Sequence, residues 1–419
     1  MDIEKITASL KNASSKLALQ TASQKNEALL SVSSSIEKNR KIILEANALD
    51  VKNARECGMS ESLVERLSLD DKKIDSIIDS FKLIISQTDP VGEEIAGWKT
   101  PAGMTIRQVR VPLGVVAIIY ESRPNVTADA FALAYKSGNS ILLRGSSSAI
   151  NSNLALEKAI KQGLKNAKNG IEEAISLAPC KNHEEVEQIL TAVGKVDVAL
   201  PRGGAKLINM VVQTAKIPVI QTGAGICHLY VDESADLEMA LNIAWNAKTQ
   251  RPGACNAIET IVVNEKILNQ FIPRLVEKFA GKVELRLDEK SYKSVQNVQN
   301  SAKIKKAADE DFGFEFLDFI CSVKTVSDLD EAIDFINSHN TKHSECIVTN
   351  NRQNSRIFQS KIDAACVYVN ASTRFTDGGE FGFGAELGIS TQKLHARGPM
   401  GIKALTTTKY LIDGDGQIR

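Results

Sequence analysis

The sequence lacks most of the features that would assign a chemistry at sight. Lys plus Arg and Asp plus Glu each number 51 in the 419 residues, so no net field gathers nucleic acid or an anionic membrane surface. No uninterrupted apolar run approaches a membrane span, and the start, Met1-Asp2-Ile3-Glu4-Lys5, lacks the apolar core of a secretory signal. The seven cysteines (Cys57, Cys180, Cys227, Cys255, Cys321, Cys346 and Cys366) are odd in number, scattered, and contain no C-x-x-C pair. That argues against a disulfide framework and against zinc, and no metal is expected. His339 and His343 are four apart, but the intervening Asn340, Thr341 and Lys342 read as a helix end, which points to a solvated surface. There is no G-x-G-x-x-G after the first strand and no G-x-S-x-G elbow. Repeats and low-complexity tracts are missing too. The expectation is a cytoplasmic globular protein with reduced thiols.

What is present is an α/β pattern long enough for two or three domains. Residues 1 to about 90 read as polar helices. The clearest is 71–86, where Ile74, Ile77, Ile78, Phe81, Ile84 and Ile85 form one stripe that would cover a sheet. Residues 97–111 read as a hairpin around Pro101-Ala102-Gly103. Strands and helices then alternate. Residues 115–120 form a wholly apolar run, as a buried parallel strand requires, and strands follow at 140–144, 174–177, 196–200, 218–220 and 226–231. This predicts a doubly wound parallel sheet with ligands at the carboxyl ends of its strands. The pattern restarts at Ser234 and runs to about residue 370. The last segment holds seven glycines from Gly378 to Gly401 and a closing strand, 404–412. Such glycine density suits a loop wrapped closely around a ligand or another backbone.

One cysteine stands in a distinctive place. Asp236 caps a helix over 236–248, Pro252 and Gly253 stop it, and a β-branched run begins at Ala257. Cys255 therefore lies in a short, stiff connector, with Lys248 and Arg251 near in sequence to favour a thiolate. Buried packing is the competing reading for any cysteine. Two turns, Arg144-Gly145-Ser146 and Pro201-Arg202-Gly203-Gly204, place backbone N–H groups and a guanidinium where helices begin, which suits phosphate. No carboxylate occupies 145–149 to hold a free ribose hydroxyl, and this favours a 2′-phosphorylated nucleotide. Asn370, Ser372, Thr373, Arg374, His395 and Arg397 give the glycine-rich segment polar and cationic groups for a substrate carboxylate or phosphate.

Several long stretches carry a family resemblance. They are Val111-Pro-Leu-Gly-Val-Val, Tyr120-Glu-Ser-Arg-Pro-Asn-Val-Thr, Ile141-Leu-Leu-Arg-Gly, Leu200-Pro-Arg-Gly-Gly-Ala, Gly225-Ile-Cys-His-Leu-Tyr-Val-Asp and Lys248-Thr-Gln-Arg-Pro. To these are added Tyr368-Val-Asn-Ala-Ser-Thr-Arg-Phe-Thr-Asp-Gly-Gly and Ser390-Thr-Gln-Lys-Leu-His-Ala-Arg-Gly-Pro-Met-Gly. Over essentially its whole length the chain resembles the gamma-glutamyl phosphate reductases of the aldehyde dehydrogenase superfamily. It departs from them after Arg144, where three serines replace a second glycine and a charged residue.

The resemblance implies two doubly wound parallel-sheet domains plus a small β oligomerisation element. The expected layout is a nucleotide-binding domain over 1–232, with the hairpin about 97–112, a catalytic domain over 233–370 carrying Cys255, and a substrate-wrapping loop and oligomerisation strand over 371–419. It further implies NADPH-dependent reduction of L-glutamyl 5-phosphate through a thioester on Cys255, with Asn125 and the Cys255 N–H stabilising the oxyanion. Arg144, Gly145, Arg202, Gly203, Gly204 and Glu315 would contact the nucleotide, Glu315 at the nicotinamide-side ribose. Arg251, Ser372, Arg374, His395 and Arg397 would contact substrate. A homodimer or homotetramer, with functional association to glutamate 5-kinase, is implied as well. The strand-end Gln221-Thr222-Gly223-Ala224-Gly225 has no carboxylate to activate water against a thioester, which fits a reductase. A coenzyme-A-acylating dehydrogenase and a silent nucleotide-binding scaffold are the rival readings.

Overall fold

The computed structural model describes residues 2–178, 183–296 and 303–419; Cys180 lies outside them. Contacts divide the chain into two compact units, residues 1–222 with 382–388 and 399–419, and residues 223–381 with 389–398.

The first unit is built on a parallel sheet of four strands, β1 (Val115–Tyr120), β2 (Ser140–Arg144), β3 (Ile175–Leu177) and β4 (Val198–Arg202), in the order β3-β2-β1-β4. Every residue of β1 is buried, so its continuous apolar run reflects cover on both faces. The helix Ile3–Leu17 packs on this sheet, as does α1 (Asn125–Lys136). A second layer follows: the helix Asp71–Ser86 lies on α1, and the helix Ala22–Lys38 lies on the helix Ile150–Asn166. The polar N-terminal helices thus cover the sheet, directly or through other helices. The hairpin expected at 97–111 is present as Glu94–Lys99 and Thr105–Pro112, and the closing strand Thr406–Asp413 adds antiparallel to its second arm.

The second unit holds a seven-stranded sheet whose neighbours are all parallel. Its strands are β5 (Cys227–Val231), β6 (Ile258–Asn264), β7 (Glu284–Leu287), β8 (Ile304–Lys306), β9 (Ile320–Val326), β10 (Ser344–Val348) and β11 (Cys366–Val369). The order is β8-β7-β9-β6-β5-β10-β11. The border drawn at 232 from sequence falls after β5. That strand groups with the second unit because its backbone bonds are made to β6 and β10. Likewise the last strand returns to the first unit, as does the loop 382–388. Among the described residues no helix is long and apolar enough to cross a membrane.

Two helices of the first unit, Ala22–Lys38 and Ile150–Asn166, come very close at Gly163. A Cβ there would lie 2.4 Å from Val32 Cα and 2.9 Å from Val32 N. The approach lets Ser31 and Ser35 donate to the carbonyls of Gly163 and Ala159, both at 2.7 Å. Gly163→Ala should therefore lose about 1–3 kcal/mol of stability by overpacking, although alanine is the better helix former. Urea unfolding checks this; an unchanged midpoint would refute the reading of that contact.

Candidate active site

Leu237–Thr249 forms α2, capped by Asp236, whose side chain accepts from Met239 N at 3.0 Å. Its face of Ala240, Leu241, Ala244 and Ala247 is buried, and it ends where Pro252 and Gly253 stand. Two overlapping turns follow, Ala254 N to Arg251 O at 3.1 Å and Ala257 N to Ala254 O at 3.0 Å. They hold Cys255 half-buried just before β6. Of the other cysteines in this unit, Cys227, Cys321, Cys346 and Cys366 are buried.

The Cys255 carbonyl is fixed from two sides. A Cβ on Gly225 would fall 1.4 Å from this oxygen, so no side chain is tolerated there. Cys227 Sγ donates to the same oxygen at 3.4 Å. Burial pushes the Cys227 thiol well above its ordinary range. It is a structural donor, not a nucleophile. Below it, His343 Nδ1 lies 2.8 Å from Ser344 Oγ, Ser344 Oγ 2.7 Å from Thr376 Oγ1, and Tyr368 OH 2.7 Å from Thr376 Oγ1. These groups stand near the amino ends of β5, β6, β10 and β11. The carboxyl-end rule for α/β sheets, applied to this unit, would look at the wrong edge.

His343 corrects the sequence expectation. Residues 340–342 do follow a helix end, but His343 then leads straight into central strand β10 and is fully buried, its pKa pushed down to about 4 by that burial. His339 is partly buried, stacked on Phe335. Among the described residues no His, Cys, Asp and Glu group is arranged to hold a metal.

Lys248 is a second correction. Instead of facing the thiol it is fully buried and donates to Glu259 Oε2 at 2.5 Å. The cations near Cys255 are others. Asn256 Nδ2 donates to the carbonyls of Arg374 and Thr376, and Thr373 Oγ1 donates to Asn256 O at 2.7 Å. This stitches the turn 372–376 to the Cys255 loop. Arg374 donates to Gln250 Oε1 at 2.9 Å. Its pKa is lowered by burial and then by Arg251, while Cys255 draws it upward, so Arg374 is coupled to both. Ser372 is buried, and its hydroxyl accepts from Arg374 N. Exposed Arg397 donates to Asp363 at 2.7 Å, and Lys342 and Lys393 share that carboxylate. His395 is exposed in the same segment, with a φ of 62°. Arg251, Ser372 and Arg374 thus gather at the Cys255 loop, whereas Arg397 is committed to Asp363. Thr373, one of the polar candidates of the last segment, serves as an anchor, whereas the anchors Asn256 and Thr376 had no sequence signal beyond proximity to a candidate.

Glu315 Oε1 accepts from Gly225 N at 2.7 Å. The strand-end 221–225 carries no carboxylate of its own, yet the fold brings one to it.

In the first unit, Arg144, Ser122, Ser146 and Ser148 meet at the carboxyl ends of β1 and β2. Ser148 Oγ lies 2.9 Å from Ser122 Oγ and 2.8 Å from Ser146 Oγ. Buried Arg144 Nε has no partner among the described residues. A guanidinium edge with three hydroxyls fits a phosphate-bearing nucleotide. Gly145 is required for packing, since a Cβ would meet Asn153 Nδ2 at 2.2 Å and Tyr120 OH at 2.9 Å. The turn after β4 is already engaged: Gly204 N donates to Glu121 Oε2 at 2.9 Å, and a Cβ on Gly203 would meet Glu121 Cδ at 2.6 Å. Arg202 lies against Gly388. Asn125 opens α1, with its amide donating to Asp129.

The buried Lys248–Glu259 pair is open to test. Burial pushes the Glu259 carboxyl up to about 7 against the pull of Lys248. Lys248→Met would strand that carboxyl and should cost about 3–5 kcal/mol. The folded pKa is raised, so proton binding favours the fold, and the deficit should grow as pH rises through neutrality. Urea midpoints at acid and alkaline pH measure it; a deficit that shrinks with pH contradicts this assignment.

The aldehyde dehydrogenase family model matches residues 1–310 and 295–410. A gamma-glutamyl phosphate reductase of Lachnospira eligens is 51% identical over 419 residues, 100% of this chain and 99% of that protein. One from Clostridium botulinum is 50% identical over 411 residues, 98% of this chain and 97% of that protein. The crystal structure of gamma-glutamyl phosphate reductase from Thermotoga maritima superposes with a TM-score of 0.96 at 46% identity, covering 100% of both chains. With this fold, a cysteine held between helix and strand, and matches along its whole length, the chain belongs to the aldehyde dehydrogenase family, among the gamma-glutamyl phosphate reductases.

Proposed function

We propose that the protein reduces L-glutamyl 5-phosphate to L-glutamate 5-semialdehyde and phosphate with NADPH, the second step of proline biosynthesis from glutamate, the product then cyclising to 1-pyrroline-5-carboxylate. The relatives' names supply the substrate class. The carrying observation is the half-buried Cys255 in a turn fixed by Gly225 and Cys227, while the other four cysteines of its unit are buried.

The Cys255 thiolate attacks the γ-carbonyl, a C–S bond forms, and the C–O bond to phosphate breaks. Arg374 and Arg251 favour the thiolate and an incoming anion. Asn125 Nδ2 and the Cys255 N–H serve the oxyanion, an interaction that can be worth ~3 kcal/mol per donor. A bound nicotinamide nucleotide supplies the hydride, and Arg144 with its serines would hold its phosphate. Cys255 departs as thiolate when the thiohemiacetal collapses. Serine hydroxyls without a carboxylate at 145–149 support NADPH over NADH.

The reading extends to a cytoplasmic homodimer or homotetramer that associates functionally with glutamate 5-kinase. Trp98, Tyr410 and Ile412 on the antiparallel sheet are 46%, 54% and 57% exposed, which suits a subunit interface.

Run in reverse, glutamate semialdehyde should reduce NADP only with phosphate or arsenate present, and Cys255→Ala should abolish it. Turnover with coenzyme A but not phosphate would establish the acylating rival instead. Wild-type rates in Cys255→Ala would remove the thioester route. Gel filtration should show at least a dimer; a strict monomer contradicts the interface.

A further inference from the structure

Asn125 has a side-chain amide with a donor end and an acceptor end of nearly equal size, so packing alone does not choose between its two orientations. The choice is made one turn along α1. Asn125 Nδ2 donates to Asp129 Oδ2 at 3.0 Å. An ionised carboxylate only accepts, so the flipped amide would oppose oxygen to oxygen. We propose that Asp129 is a positioning residue, which locks the Asn125 amide with its second N–H free to act as the oxyanion donor. This rests on the oxyanion role proposed above for Asn125.

Asp129 is itself held from other elements. Ser80, on the helix Asp71–Ser86, and Arg202, at the end of β4, both favour its ionised form, and Arg202 is the one charged group that does so among the described residues. Both Asn125 and Asp129 keep some solvent exposure, so neither is sealed in the core. An i,i+4 pair that merely supports a helix has no need of this arrangement. Burial raises the Asp129 carboxyl to about 6, with Asn125, Ser80 and Arg202 opposing the rise. Above that pH the carboxylate enforces the amide. Below it, the protonated acid can donate to Asn125 Oδ1, and the enforcement is lost.

The same shift fixes the stability sign. The folded pKa lies above the unfolded value, so stability is lost as pH rises from about 4 to about 6, and the ionised side chain is held at a cost. A neutral isostere should not melt earlier.

The test measures phosphate-dependent reduction of NADP by glutamate semialdehyde from about pH 5 to about pH 9. Asp129→Asn should lower kcat about 10- to 100-fold with KM for the aldehyde nearly unchanged, abolish an acid limb near pH 6, and keep or raise Tm at neutral pH. Ser80→Ala, outside the site, removes one group that favours the carboxylate and should move the acid limb to higher pH. Retained kcat and limb in Asp129→Asn, or an unmoved limb in Ser80→Ala, overturns the proposal. So does a raised KM at constant kcat, which would make Asp129 a contact for the substrate's ammonium. Asn125→Ala separates the two levels. If it is impaired while Asp129→Asn is not, only the positioning role falls. If it runs at the wild-type rate, the oxyanion reading itself is wrong.

Discussion

The second unit turns on one backbone-to-backbone contact. The Cys255 carbonyl sits where a Cβ of residue 225 would have to be, and only glycine leaves that space. Because Gly225 lies two residues before β5 and Cys255 three before β6, the contact locks together the entries to two neighbouring strands. The position of the Cys255 backbone is therefore set by sheet registry, which side-chain rotamers cannot drift away from. The glutamate held by the Gly225 amide and the thiol that grips the carbonyl inherit the same rigidity.

Around this anchor the protein accepts electrostatic cost. Lys248–Glu259 and His228–Glu345 are fully buried pairs, at 2.5 Å and 3.0 Å. Among the described residues, Glu345 Oε1, His228 Nε2 and His343 Nε2 find no partner. Such pairs return little net stability, because desolvation offsets most of the attraction. What they provide is a strong penalty for any rearrangement that separates the partners.

The local elements were legible from sequence because their signals are local. The stripe at 71–86, the apolar run 115–120, the strand 140–144 and the helix stopped by Pro252-Gly253 need only periodicity and breakers, and each is found at those residues or within one or two of them. Cys255 was legible because its connector is bounded by two such elements. What escaped depends on long-range pairing. β5 looked like the end of one domain because nothing in residues 226–231 shows that its partners are 258–264 and 344–348. His343 looked solvated because burial on a central strand is decided by its neighbours. Asn256 and Thr376 joined the Cys255 loop through a bond spanning more than a hundred positions. Lys248 misled for the opposite reason: closeness in sequence suggested a role at the thiol that its buried partner Glu259 takes away.

The last strand has a kinetic consequence. Gln108 Nε2 donates to Thr408 Oγ1 across 300 residues of chain, and Asn139 Nδ2 reaches Leu405 O at 2.9 Å. During synthesis the hairpin arm at 105–112 thus has an open edge until residues 406–413 have emerged, after every strand of the seven-stranded sheet is already made. Edges left waiting in this way invite wrong pairings between nascent chains. The slow event in assembling this molecule should be the docking of the strand Thr406–Asp413.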